Sequence, residues 1–237
     1  LSSADFSTTT AGTVASNDGY TATGLWHTSS SRGTAAGHSG NFSMYFGSEA
    51  THQYAASSTG TLTSPLIDLT GITGKVTLNL DYYLAAAGKT QGGSRRGDGA
   101  GIGVLVNGTT TTLATNLGLR PRLANTTAFT ALSLNLTQFD GQQIRLVFTF
   151  AGNGDATIGE GWYVDDVNVS VASADVATVG VLSGGVFTPL ADSTSGLPNN
   201  TGIWNAVSLD RASFDGQQIQ LQYKFTSDAS NNAEGWY

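Results

Sequence analysis

Any chemistry in this chain has to come from a short set of side chains. The three histidines, His27, His38 and His52, are separated by polar, loop-like stretches, and none has metal-ligand spacing. A hydrolytic triad needs a histidine beside a serine and an aspartate in space. Serine is abundant and proves nothing by itself, and no G-x-S-x-G elbow occurs. The absence of cysteine removes thiol nucleophiles, disulfides and thiolate metal sites. Glu160 and Glu234 are a conceivable glycosidase-type pair. They stand at equivalent points of an internal repeat, however, and a duplicated position reads as structural. We expect no catalytic residue and no enzyme.

Two other chemistries are open. Asp165 and Asp166 sit together in "VDDV", and paired carboxylates on a strand can offer oxygens to a hard cation such as Ca²⁺. The competing reading is that they cap turns and accept backbone N–H bonds. Alternation around Trp162 is irregular, as a β-bulge would make it. A sugar platform would need exposed aromatic rings, and Trp26, Tyr45, Tyr54, Tyr82 and Tyr83 are the candidates. Trp162, Trp204 and Trp236 read as core or sheet anchors. "GDGAGIG" is no phosphate cradle, since no helix follows and no lysine is placed for phosphate; it reads as a flexible lead into a strand.

The elements that must position these groups are strands. "KVTLNLDYYL" puts Val76, Leu78, Leu80, Tyr82 and Leu84 on one face. The same period of two aligns Ile102, Val104 and Val106; Leu132, Leu134 and Leu136; Ile144, Leu146, Phe148 and Phe150; and Val167, Val169 and Val171. Asn107-Gly108 predicts a tight hairpin turn, because both residues tolerate φ > 0. Half-apolar runs suit antiparallel sheets with one wet face. No stretch shows a helical period, so an all-β sandwich is expected.

Composition narrows the partners. The 237 residues include 31 glycines and only 11% charged residues, with a net charge of −7. This excludes nucleic acid, whose binding needs lysine and arginine to displace counterions. No apolar run is long enough to insert in a membrane. A polar, weakly charged, cysteine-free surface points to an extracellular or cell-surface location. The first residue is not methionine, which suggests a mature or excised piece. Six N-x-S/T sequons, at Asn41, Asn107, Asn125, Asn135, Asn168 and Asn199, are expected by chance in so Ser/Thr-rich a chain.

"FTALSLNLTQFDGQQIRLVFTF" (129–150) recurs as "WNAVSLDRASFDGQQIQLQYKF" (204–225), and "GVLVNGTTTTLA" (103–114) as "GVLSGGVFTPLA" (180–191). "EGWY" recurs with a one-residue gap, and "SADF" at the start is echoed by "SADV" at 173–176. We therefore expect a complete module over 1–172. An incomplete second copy over 173–237 is equivalent to about 100–163. A half-sandwich exposes an apolar face and open edges. It belongs to a longer tandem array, or spans a join near residue 173, or is completed by the first module or a neighbouring molecule.

The ordered series "GLWHTSSSRG", "GNFSMYFG", "LTSPLIDLTG", "LNLDYYL", "LTQFDGQQIRLVFTF" and "EGWYVDDVNV" resembles the MAM-like modules of bacterial secreted proteins. Those appended to immune-inhibitor-A-type peptidases are among them. The resemblance covers 1–172 once and then recurs in part. It implies a concanavalin-like, two-sheet antiparallel jelly roll that binds, adheres or spaces. It also implies a structural calcium near the domain's two ends, on Asp5, Asn41, Asp165 and Asp166, with Asp166 favoured over Asp165. Animal members carry disulfides, and this chain has none. The expected function is a secreted or cell-surface structural or adhesive repeat, joined to neighbouring copies of itself through strand complementation into a filament or sheath. The alternative is an accessory module of a larger secreted hydrolase that binds a glycan or a protein surface.

Overall fold

The alternating apolar residues become the inward rows of two antiparallel sheets. A computed structural model describes residues 1–6, 15–72, 74–91, 94–118, 123–172, 176–193, 196–197 and 205–226. The chain divides into two compact units, Leu1–Val171 and Ala172–Tyr237.

Unit 1 begins with β1 (Ser2–Ala4), β2 (Thr21–Ala22), β3 (Trp26–Ser29), β4 (Ser43–Phe46), β5 (Thr59–Thr63) and β6 (Ile67–Asp68). It continues with β7 (Lys75–Ala85), β8 (Gly88–Gln91), β9 (Ser94–Gly97) and β10 (Gly99–Val106). Last come β11 (Thr109–Thr115), β12 (Thr130–Asn135), β13 (Gln143–Ala151) and β14 (Gly161–Ala172). One sheet runs β12-β7-β14-β4-β3, and the other runs β11-β10-β13-β5-β2. The first half of β14 pairs with β4 and its second half with β1. β13 pairs with β6 at its start and with β5 further on.

Non-sequential neighbours such as β7-β14 and β13-β5 give the crossed connections of a jelly roll, an all-β two-sheet sandwich. Val76, Leu78, Leu80, Tyr82 and Leu84 are all buried, as are Ile144, Leu146, Phe148 and Phe150. They meet in one core with Trp26, Phe46 and Trp162. The hairpin at Asn107-Gly108 turns with φ of 48° and 81°, the left-handed pair that this dipeptide favours.

Unit 2 contains β15 (Val176–Ser183), β16 (Val186–Asp192) and β17 (Gln220–Thr226), ordered β16-β15-β17. Its registers repeat those of unit 1. Gly180 pairs with Gln222 as Gly103 pairs with Val147, and the β15–β16 ladder shifts at Val179/Gly180 where β10–β11 shifts at Ile102/Gly103. A 3₁₀ turn at Ala212–Phe214 repeats the one at Thr137–Phe139. The difference is confined to β17: Val179 and Val181 of β15, which pair with Tyr223 and Leu221, are buried like Ile102 and Val104. Leu146, Phe148 and Phe150 are buried, whereas their equivalents Leu221, Tyr223 and Phe225 are 57%, 66% and 47% exposed. Trp204, Glu234, Trp236 and residues 173–175 fall outside the described residues.

Candidate functional site

The outer face of the first sheet is where polar chemistry gathers. Along β14, Trp162 and Val164 point into the core, and Tyr163 belongs to a separate aromatic cluster. Asp166 then takes a φ of 49° and absorbs one residue, after which Val167 and Val169 face the core. The irregularity is therefore a bulge at Asp165–Asp166, downstream of Trp162. An extra residue is the only way a strand of period two can change parity.

The chain between β3 and β4, residues 30–42, folds over this face as a strap. Arg32 donates Nε to Glu160 Oε1 at 2.7 Å and Nη2 to Oε2 at 2.6 Å. Its guanidinium carbon sits 3.5 Å from the centroid of the Tyr83 ring. His38 Nδ1 meets Asp165 Oδ2 at 2.7 Å, and its Nε2 meets the Arg32 carbonyl at 3.0 Å. The Ser39 amide donates to Asp166 Oδ2 at 2.7 Å, and the Ser39 hydroxyl donates to Asp166 Oδ1. Three strap residues thus hold three acidic residues at or just before β14.

Under the strap lie Tyr45, Tyr83, Phe129 and Tyr163, all buried. Tyr45 and Tyr163 stack at 4.0 Å with their rings 8° apart, and His38 lies 4.1 Å from Phe129. Burial pushes the Tyr45 hydroxyl up to about 12, and burial with the Tyr45 and Glu160 fields pushes Tyr163 higher still. The hydrogen bond to Asp165 raises His38 above its ordinary value, against the opposing effect of burial. Burial works against the Glu160 carboxylate, but the Arg32 hydrogen bonds and charge win and hold it below its ordinary value.

The expected cation ligands are split by this arrangement. Asp5 and Asp166 line one open hollow of about 600 Å³, together with Asp18, Ser3, Ser39 and Asn168. Asp165 is sealed against His38, and exposed Asn41 is not part of the hollow's lining. Asp18, which the sequence did not single out, also accepts the Phe6 amide at 2.8 Å. Among the described residues, no three His, Asp or Glu side chains stand together as a metal-holding group. The four aspartate and asparagine positions therefore do not form one ligand set.

The aromatic candidates need correction. Trp26, Tyr45, Tyr54, Tyr82 and Tyr83 are between 0% and 8% exposed. None offers a platform to a sugar, because the core takes Trp26, Tyr54 and Tyr82 and the strap takes Tyr45 and Tyr83. "GDGAGIG" is likewise anchored. Asp98 is buried, takes a hydrogen bond from the Tyr54 hydroxyl, and accepts the Asn153 amide at 2.8 Å. His27, Glu49 and Ser31 form a chain, but Glu49 sits in the middle and binds both others. A triad needs the histidine there, to take the serine proton.

The strap pairs were not visible in the sequence because their partners lie 127 or 128 residues apart. The one local signal was the broken alternation at "WYVDDV".

No family model matches the chain, and no curated protein matches it. Solved structures resemble it in part. The carbohydrate-binding module TmCBM61, in complex with β-1,4-galactotriose, has a TM-score of 0.43 and 10% identity over 64% of this chain and 88% of its own. The K1 cleaved adhesin domain of Lys-gingipain from Porphyromonas gingivalis W83 has a TM-score of 0.41 and 13% identity over 65% and 92%. Caldicellulosiruptor saccharolyticus CBM27-1, in complex with mannohexaose, has 0.31 and 14% over 62% and 95%. What those proteins bind is a property of theirs.

Proposed function

We propose that this chain is a non-catalytic, extracellular structural or adhesive repeat of the MAM-like kind, and that strands of a neighbouring copy complete its second unit. The observation that carries this reading is the contrast between Leu146, Phe148 and Phe150, buried in unit 1, and Leu221, Tyr223 and Phe225, exposed in unit 2. Fully burying such side chains is worth about 1.5–3 kcal/mol each. Val179 and Val181 of β15 are already buried on this face, so the β17 edge is the part a neighbour would cover. If each copy supplies what the next lacks, the contact is head-to-tail and extends into a filament or sheath. Among the described residues, no helix is long and apolar enough to cross a membrane.

The test is the assembly state of the full chain across a concentration series, by light scattering and electron microscopy. Wild type is expected to associate, and Leu221→Ser/Tyr223→Ser/Phe225→Ser to remain monomeric. If wild type is a monomer throughout, the filament reading is lost. The second reading is an accessory module of a larger secreted hydrolase that binds a glycan or a protein surface.

A structural calcium is proposed at the end of unit 1 where Asp5 and Asp166 line one hollow, since Asp165 is held by His38. Two carboxylates, backbone carbonyls and water would supply its oxygens. Adding calcium after chelation is expected to raise the melting temperature, and Asp5→Asn to abolish the rise. No response to calcium removes the proposal.

A further inference from the structure

Unit 2 keeps the receiving half of a contact that unit 1 shows complete. In unit 1 one edge of β13 is closed by the chain from β5 to Leu69. Val147 pairs with Thr63, Phe148 with Leu62, Thr149 with Thr61 and Phe150 with Gly60. Ser64 then serves both backbone groups of Leu146. Its amide donates to the Leu146 carbonyl at 2.9 Å, and its hydroxyl accepts the Leu146 amide at 2.8 Å. Further on, Ile67 and Asp68 pair with Ile144 and Gln143. Leu69 ends the contact, donating its amide to the Gln142 carbonyl at 2.9 Å and accepting the Gly141 amide at 3.0 Å.

The receiving stretch recurs unchanged. "FDGQQI" (139–144) is repeated letter for letter at 214–219. In unit 1 its residues Gly141 to Ile144 hold Ile67, Asp68 and Leu69. In unit 2 the turn is retained, with Gly216 at a φ of 79° where Gly141 has 76°. Among the described residues, however, β17 has only β15 beside it. β13 starts at Gln143, whereas β17 starts at Gln220 although the equivalent of Gln143 is Gln218. The positions lost from the strand, Gln218 and Ile219, are equivalent to the pair that β6 holds. The 7 residues of β17 are all exposed.

We propose that the free edge of β17 takes an antiparallel strand of the β5–β6 kind, donated by a second copy of the module in which that segment is not closed on its own sheet. In the unit 1 register, the donor's Leu62 stands against Tyr223 and its Gly60 against Phe225, on the apolar face. Thr61 stands against Lys224 and Thr63 against Gln222 on the other face, so the one cation of β17 meets a hydroxyl and no like charge. β5 of a folded unit 1 does not qualify as donor, because β13 and β2 already hold both its edges. This rests on the reading that a neighbouring copy completes unit 2, and it names the strand that does so.

The probe is a synthetic peptide of residues 58–69, "STGTLTSPLIDL", titrated onto the full chain at a concentration where the chain is monomeric. In strand addition of this type, main-chain bonds give affinity and alternate side chains give specificity. The peptide is expected to bind. A Leu62→Arg peptide, which brings a cation to the apolar face, is expected to bind at least about tenfold more weakly. The Leu221→Ser/Tyr223→Ser/Phe225→Ser chain is expected to lose a similar factor for the unaltered peptide. Because the chain has no cysteine, the register can be read by cross-linking. Tyr223→Cys is expected to form a disulfide with a Leu62→Cys peptide and not with an Ile67→Cys peptide. No binding of the unaltered peptide, equal binding of the Leu62→Arg peptide, or equal cross-linking at both positions would overturn the proposal. The assembly reading stands or falls separately. A chain that binds the peptide yet never associates loses that reading and keeps this one, and a chain that associates but ignores the peptide does the reverse.

Discussion

His38 Nδ1 stands 2.7 Å from Asp165 Oδ2, with side chains only 1% and 0% exposed. Its other ring nitrogen faces the Arg32 carbonyl. Nε2–H donates to that carbonyl, and since burial pushes the Asp165 carboxyl up to about 7 against the pull of the His38 hydrogen bond, the ring and the carboxyl share the proton between Nδ1 and Oδ2. A buried, hydrogen-bonded His38–Asp165 pair therefore fastens the strap to β14.

This pair makes stability depend on pH in a set direction. The folded value for His38 lies above its ordinary 6.5. Its contribution is complete below 6.5 and fades as pH rises through the folded value. The stability difference between wild type and His38→Gln, from urea unfolding, is expected to be largest near pH 5–6 and to shrink towards pH 9. A difference that is flat with pH would rule this out.

Arg32 and Glu160 run the opposite way. Glu160 titrates below its ordinary 4.5, so its contribution is present above 4.5 and fades as pH falls through the folded value. Arg32→Lys keeps the charge but loses the two-pronged bond and the stack on Tyr83. It is expected to cost about 1–2 kcal/mol at pH 7. A loss below about 0.3 kcal/mol would mean that the pair is screened like an ordinary surface bridge.

Repeat-equivalent truncations should separate the two units. Phe148→Ala empties a packed site and is expected to cost about 3–5 kcal/mol. Tyr223→Ala, at the equivalent point of unit 2, is expected to change monomer stability by no more than about 0.5 kcal/mol. Equal losses, measured at a concentration where the chain is monomeric, would show that the unit 2 face is already covered.

The bulge gives a backbone test. At φ = 49°, a β-branched residue is strained by about 1–3 kcal/mol, whereas glycine is not. Both Asp166→Val and Asp166→Gly lose the Ser39 contacts. Valine is expected to melt at lower temperature than glycine, and the reverse order would place the bulge elsewhere.

The sequence by itself determined the strands, which face of each is buried, and the repeat. These follow from a period of two along a few consecutive residues. It even marked the bulge, since broken parity at "WYVDDV" is a local event. The sequence could not say whether the other face of a strand is wet. Tyr82 and Tyr83 are adjacent and alike in composition, yet one enters the core and the other is sealed beneath the strap. It favoured Asp166 over Asp165 for an ion, but it could not give their different partners, His38 and Ser39. The tertiary structure decided both. Burial of an outer face depends on which distant loop crosses it, and no spacing rule reaches across 127 residues. The same physics explains why one repeated strand is core in unit 1 and surface in unit 2: the alternation specifies an apolar face, and only a second sheet can bury it.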